Sequence, residues 1–190
     1  MYVCMKKRAH VQGVNRKMRK RLSIIPVLLL LCGLPILVAV AAPPGPTIVD
    51  VAIAVNSEGP YAGQFDTLIA AVLAADPAVL ATLSGNGQFT VFAPTDDAFA
   101  ALDITPDNVG DLDQGFLTDV LLYHVARGRR YASDVLASTR IRVLYKSFLY
   151  QDSGTLTDNL GREANIIVTD VEAANGIIHA IDGVVLPYAP

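Results

Sequence analysis

The hydrophobic positions of this chain change period part-way along it. Between Thr47 and Leu83 they recur every three to four residues, as Ile48, Val51, Ala52 and Val55, then Leu68, Ile69, Val72 and Leu73, then a run ending at Leu83. That spacing places each set on one face of a helix. Thr47, Asp66 and Asp76 stand just ahead of the three sets as side-chain caps, and Pro77 takes the first helical position of the third. Gly59-Pro60 and Gly85-Asn86-Gly87 break the pattern. Three short helices are therefore predicted before the first strand.

A whole structural transition follows in FTVFAPTDDAF, residues 89–99. Phe89 to Phe92 are aromatic or β-branched and read as a buried strand, which Pro94 ends because it has no N–H to give a ladder. Thr95 and Asp96 then cap a helix continued by Ala98, Phe99 and Leu102. A polar loop covers 103–114, and Phe116, Leu117, Val120, Leu121 and His124 mark one more helix, stopped at Arg127-Gly128. From Arg140 onward the runs become short and β-rich: 141–145, 148–150, 155–157, 166–171, 177–181 and 184–186. Turns such as Asp152-Ser153-Gly154, Asn159-Leu160-Gly161 and Asn175-Gly176 separate them, the pattern of an antiparallel sheet. Helices first and strands later predict an α+β domain.

The first 41 residues read as an export signal rather than as part of the fold. Eight Lys/Arg and no acid lie in residues 1–21, ahead of an apolar run from Leu22 to Ala42 containing Ala39-Val40-Ala41. Those are the basic, apolar and small-residue regions of a secretory signal, with the cut expected after Ala41. Met18 is an alternative start, since MRKR would supply the basic region by itself. An uncleaved membrane anchor is the rival reading, opposed by Pro26, Gly33 and Pro35 within the run; a lipid on Cys32 is disfavoured by Leu31 before it. Any of these readings places the remainder outside the cytoplasm, secreted, periplasmic or tethered to the surface. Residues 42–46 then form a Pro-rich lead-in and 47–188 a single domain.

Removing the signal changes the electrostatics. Beyond Ala41 there are seven Lys/Arg against eighteen Asp/Glu, a net charge of −11, and no cysteine, since Cys4 and Cys32 both precede the cut. A surface this acidic repels phosphates and excludes nucleic acid as a general partner. The fold must rest on core packing without a disulfide. No Asn-x-Ser/Thr site occurs, which leans towards a bacterial source. Nor is there a phosphate-binding glycine loop, a Gly-x-Ser-x-Gly elbow or a His-Glu-x-x-His pair, so neither catalysis nor a cofactor is expected. Asp107, Asp111 and Asp113 lack the alternation and closing glutamate of a calcium loop, and nothing nominates a third ligand beside His124 and His179.

FTVFAPTDDAF, LLYHV at 121–125 and NGIIHAIDGVVLP at 175–187 together resemble the fasciclin domain, with its two signature boxes and the Tyr-His motif between them. The resemblance spans roughly Thr47 to Pro187. It implies an antiparallel β-wedge or sandwich flanked by short helices, extracellular adhesion or matrix interaction, and no catalysis. The expected partner is an extracellular protein or a polysaccharide or other matrix component, with membrane contact only through an uncleaved anchor. In animal relatives the Tyr-His motif is linked to integrin binding; here those positions are Leu121, Leu122, Tyr123, His124 and Val125. Relatives that carry apolar pigments suggest the alternative of a carrier for a carotenoid-like or lipid-like small molecule, held near Leu144, Phe148 and Tyr150.

The same residues have structural readings. Asp96 is expected to accept a hydrogen bond from a buried His124, tying the corner to the helix that carries it. His179 alternates with Ile177 and Ile181 and reads as a core histidine; Asn175 and Gly176 suit a tight turn, and Asp182 follows in the second box. Arg142, Tyr145, Lys146, Phe148 and Tyr150 form a basic and aromatic segment, the candidate interaction surface of an otherwise acidic chain.

Overall fold

Three capped turns open the domain. In the computed structural model, which describes residues 44–188, α1 (Ile48–Ser57), α2 (Asp66–Ala74) and α3 (Pro77–Leu83) precede the first strand. The export signal, its cut after Ala41, the Met18 start and the Cys32 lipid site lie outside the described residues. Thr47 and Asp50 cap α1 reciprocally, and Asp76 caps α3 ahead of Pro77. The cap of α2 differs from the expectation: Asp66 is its first residue and makes no cap bond, its carboxylate accepting instead from Asn56 Nδ2 at 2.7 Å.

The strand β1 (Phe89–Pro94) is buried along its whole length. It extends through Pro94, opposite Ile181, before α4 (Asp96–Ala100) begins. That helix stops two residues short of Leu102, where the amides of Leu102 and Ile104 both turn back to the Phe99 carbonyl. Further on come α5 (Gln114–Tyr123), β2 (Val125–Arg127), α6 (Ala132–Leu136), β3 (Arg140–Arg142), β4 (Phe148–Asp152), β5 (Thr155–Thr157), β6 (Glu163–Ala173) and β7 (Gly176–Ile181). Neither β2 nor α6 is visible in the sequence pattern, because three and five residues are too few to display a period.

The strands form one seven-stranded sheet in the order β2-β1-β7-β6-β5-β4-β3. It is mixed rather than wholly antiparallel: β1 and β7 run parallel over six residue pairs, from Phe89 opposite Gly176 to Pro94 opposite Ile181. Hairpin turns report neighbours in sequence, and this seam joins the two ends of the domain, so no turn announces it. Residues 184–186 are not a strand, because the Val185 and Leu186 amides go to His124 and Asp158 side chains instead of a ladder. The sheet curls until its two ends touch, with Ala126 of β2 bridging Val143 just beyond β3 and Leu144 N donating to Val125 O at 2.7 Å.

Curling divides the core in two. Between helices and sheet lie Ile48, Leu68, Val79, Phe99, Leu117 and Leu121, while Phe92, Tyr123, Ile141, Leu149, Leu156, Ile181 and Val185 fill the inside of the curl. Tyr123 and Phe92 are fully buried there. Among the described residues no single helix is long and apolar enough to cross a membrane.

Candidate functional site

The second signature box packs a knot of backbone contacts around Asn175. Its Oδ1 accepts from Ile48 N at 2.8 Å, and its Nδ2 donates to the carbonyls of Leu83 at 2.6 Å and Gly85 at 2.8 Å. One buried amide therefore satisfies the start of α1 and the end of α3. Neither Asn175 nor Gly176 has a positive φ, so turn handedness does not explain the pair. Gly176 is required by proximity: a Cβ there would collide with the Phe89 carbonyl across the parallel seam. Asp182 closes the same strand by accepting from Asn165 N and Nδ2, at 2.6 and 3.0 Å.

The expected bond between Asp96 and His124 is absent. Thr95 caps its own helix through Ala98 N at 3.4 Å, while Asp96 accepts from Thr67 N at 2.8 Å and Asp66 N at 3.2 Å, capping α2 from a distance. A carboxylate at a helix start meets free N–H groups and the positive end of the dipole, a better partner than a neutral imidazole. Phe99 beside them is buried in the helical core.

His124, at the end of α5, donates from Nδ1 to Val120 O at 2.8 Å and accepts at Nε2 from Val185 N at 3.3 Å. Burial pushes its pKa down to about 4, against the opposing pull of the Val120 carbonyl and the Asp158 charge. His179 carries the opposite tautomer, donating from Nε2 to Arg130 O at 2.9 Å and accepting at Nδ1 from Asp170 N at 3.3 Å, with its ring stacked on Phe92. Tyr123 donates to Phe148 O at 3.0 Å, and burial raises its phenol pKa. Leu121 and Val125 are also buried, and Leu122 is half-buried. The Tyr-His motif faces the interior.

The basic and aromatic segment is split by the structure. Tyr145 turns edge-on to Tyr123, Phe148 lies beneath the Arg140 guanidinium at 4.9 Å, and Tyr150 is 50% exposed. Arg142 and Lys146 instead join Arg127 and Arg130 around a cleft of about 500 Å³ whose remaining walls are Val143 and Leu144. Arg127 and Arg130 escape sequence reading because Arg127-Gly128 looks like a helix stop; the available signal is the run Arg127-Gly128-Arg129-Arg130 in an acidic chain.

Asp158 was likewise invisible. Buried, it accepts from the amides of Leu160, Arg162 and Leu186 and pairs with Arg162 Nε at 3.2 Å. Asp113 caps α5 through Phe116 N at 2.8 Å, and no three His, Asp or Glu side chains converge as metal ligands among the described residues. An apolar groove of about 120 Å³ runs among α1, α2 and α3, bordered by Ile53, Val72 and Leu73 and lined also by Leu121, His124 and Val125 of the Tyr-His motif, away from Leu144, Phe148 and Tyr150.

A mixed, curled sheet with helices on one side, and signature residues spent on internal backbone contacts, define a scaffold domain. The family model of the fasciclin domain matches residues 63–187, and the chain belongs to that family. It is 39% identical over 131 residues to Protein sll1483 of Synechocystis sp., covering 65% of this chain and 67% of that one. To the uncharacterized protein sll1735 of the same organism it is 38% identical over 144 residues, 74% of this chain and 98% of the relative. Among solved structures, the FAS1 domain pair of the insect cell adhesion molecule fasciclin I matches with a TM-score of 0.50 at 22% identity, over 63% of this chain and 44% of that one. That likeness concerns the fold.

Proposed function

We propose that this chain is a secreted or surface-tethered, non-catalytic binding domain that attaches to an extracellular protein or a matrix polysaccharide. The observation that carries the reading is where the polar groups go. Among the described residues the two histidines, His124 and His179, are buried, and all four of their ring nitrogens bond to backbone groups, leaving neither imidazole to serve as an acid or base towards a solute. Arg127, Arg142 and Lys146 by contrast lie around one surface cleft with no carboxylate partner, which suits recognition. Family membership and the basic, then apolar, N-terminal sequence support an extracellular location.

The test is retention of labelled protein, residues 42–190, on intact cells and on isolated extracellular matrix of its own host. Saturable retention competed by unlabelled protein is the expected result. Absence of saturable retention on both materials overturns the reading.

A carrier of an apolar small molecule is the second reading, favoured by the groove among α1, α2 and α3. Leu73 is 69% exposed and Ile53 46%, a large apolar area left in water at its rim. At about 120 Å³ the groove is well below the roughly 300–1,000 Å³ of an enclosed small-molecule pocket. It would therefore grip one stretch of an elongated chain. Protein purified from its host with a visible absorption band, or with mass exceeding that of the polypeptide, would establish the carrier; colourless protein of polypeptide mass would leave the attachment reading alone.

A further inference from the structure

We infer that the cleft at the closure of the sheet, walled by Arg127, Arg130, Arg142 and Lys146, binds an anionic polysaccharide, one bearing carboxylate or sulfate groups along its length. This deepens the binding-domain reading above and rests on it. The charge distribution is the first argument. Residues 42–190 hold only seven Lys/Arg, and four of them line this one cleft, brought from β2, the loop after it, β3 and the turn after that. Among the described residues the ion pairs are Arg129 with Glu172 and Arg162 with Asp158, so none of the four is paired with a carboxylate. Nearby acids are held by backbone amides: Asp134, on the wall of the adjoining cleft, accepts from Tyr131 N at 3.1 Å, and Asp170 accepts from Ala132 N at 2.8 Å.

The cleft is also held in place by the fold. Arg130 is held by its backbone from both sides, its amide donating to Thr90 Oγ1 at 2.9 Å and its carbonyl accepting from His179 Nε2 at 2.9 Å. Thr90 in turn donates to Gly128 O at 2.7 Å, where a φ of +87° lets the chain turn. Thus fixed, Arg130 keeps its Nε buried without any hydrogen-bond partner. That Nε is closed to solvent, so an anion in the cleft meets the rest of the half-buried Arg130 guanidinium, whose planar fork suits an oxyanion. A signature histidine of the core thereby positions the loop that carries the site.

Shape and chemistry select the ligand. A second cleft of about 490 Å³ shares Arg127 and Arg130 with the first and continues past Arg129, Asp134 and Ser138, so the surface has length for an extended anion, with three cations against the one carboxylate of Asp134. No aromatic side chain lines either cleft, which removes the stacking platform that single-stranded nucleic acid uses. The Ala126–Val143 bridge occupies the strand edges there, so a peptide has no edge to add to. Spaced negative charges also suit residues 42–190, of net charge −11, better than a dense polyphosphate does.

Titration calorimetry of residues 42–190 with dextran sulfate and with polygalacturonate, at low and at physiological salt, tests the inference. Neutral dextran, inorganic phosphate and oligo(dT) are the comparison ligands. At least one charged polysaccharide should bind saturably, lose affinity steeply with salt, and lose at least tenfold in the double variant Arg142→Gln, Lys146→Gln. Arg140→Gln, two residues earlier on β3 but outside the cleft, should change affinity less than twofold. No binding of either polysaccharide, stronger binding of phosphate or oligo(dT), or equal loss in Arg140→Gln would overturn the inference. A melting midpoint for each variant separates lost binding from lost folding; if the double variant is unfolded, the single variant Lys146→Gln replaces it, with a threefold loss expected and no loss counting against the cleft. If matrix retains the double variant as well as the parent, the binding-domain reading stands and the cleft is wrong. If dextran sulfate binds through the cleft but matrix retains nothing, the cleft stands and the attachment reading fails.

Discussion

Two places join distant parts of this chain, and they treat their polar groups in opposite ways. At the parallel seam between β1 and β7, every named polar side chain finds an internal partner: Asn175 serves three backbone groups, and His179 two. At the closure where β2 meets the segment after β3, the backbone is paired but four cations are left without carboxylates. The seam joins the two signature boxes, and the closure touches the Tyr-His motif at Val125. Residues that make a family legible are thus, in this chain, chiefly those that hold the fold, whereas the four cations proposed to bind sit on β2, β3 and the loops after them.

The largest effect should come from the seam. Asn175→Ala removes three hydrogen bonds at once and leaves buried carbonyls and an amide unpaired, so urea unfolding should show a loss of about 3–5 kcal/mol. A loss below about 1 kcal/mol would break the distinction between a spent and an unspent region.

The pH dependence sharpens the same side. His124 is favoured neutral in the folded state, with a pKa of about 4 against an ordinary value of 6.5. The stability it contributes is full above about pH 6.5, declines as pH falls, and is gone near pH 4. That amounts to about 3 kcal/mol between these limits. Thermal melts from pH 7 to 4 should show it, and His124→Gln should flatten the profile by a comparable amount; an unchanged profile in the variant would place the titration elsewhere.

Asp96→Ala should cost about 1–2 kcal/mol, the usual loss for a helix cap. Combined with His124→Gln, the two effects should add to within about 0.5 kcal/mol, because Asp96 bonds to the start of α2 and not to His124. A larger coupling would restore the bond expected from sequence. The smallest effect belongs to the closure: Arg142→Gln and Lys146→Gln should each change stability by less than about 0.5 kcal/mol, since neither side chain has a partner to lose. Greater destabilisation would mean that these cations serve the fold after all.

Much of the local structure was written in the chain. Thr47, Asp76 and Thr95 cap where their sequence context says they should, and the short strands from β4 to β7 follow the turns between them. Asp96 was misread because its partner lies 29 residues away on α2, and a carboxylate's choice between two distant helix-borne groups leaves no mark on spacing. The candidate surface was half legible for the same reason. Arg142 and Lys146 were visible as a basic segment, but Arg127 and Arg130 reach them only through the bridge between Ala126 and Val143.

By itself, the sequence determined the α+β order, the helix caps, the acidic character beyond residue 41 and the family, since each depends on neighbours within a few turns of chain or on composition. Tertiary structure alone decided the parallel pairing of β1 with β7, the curl that brings β2 to β3, the partners of both histidines and the gathering of four cations into one cleft. Those features depend on which distant surfaces meet, and the free energy that selects them comes from burying the two cores on either side of the sheet, a sum over many residues that no single stretch records.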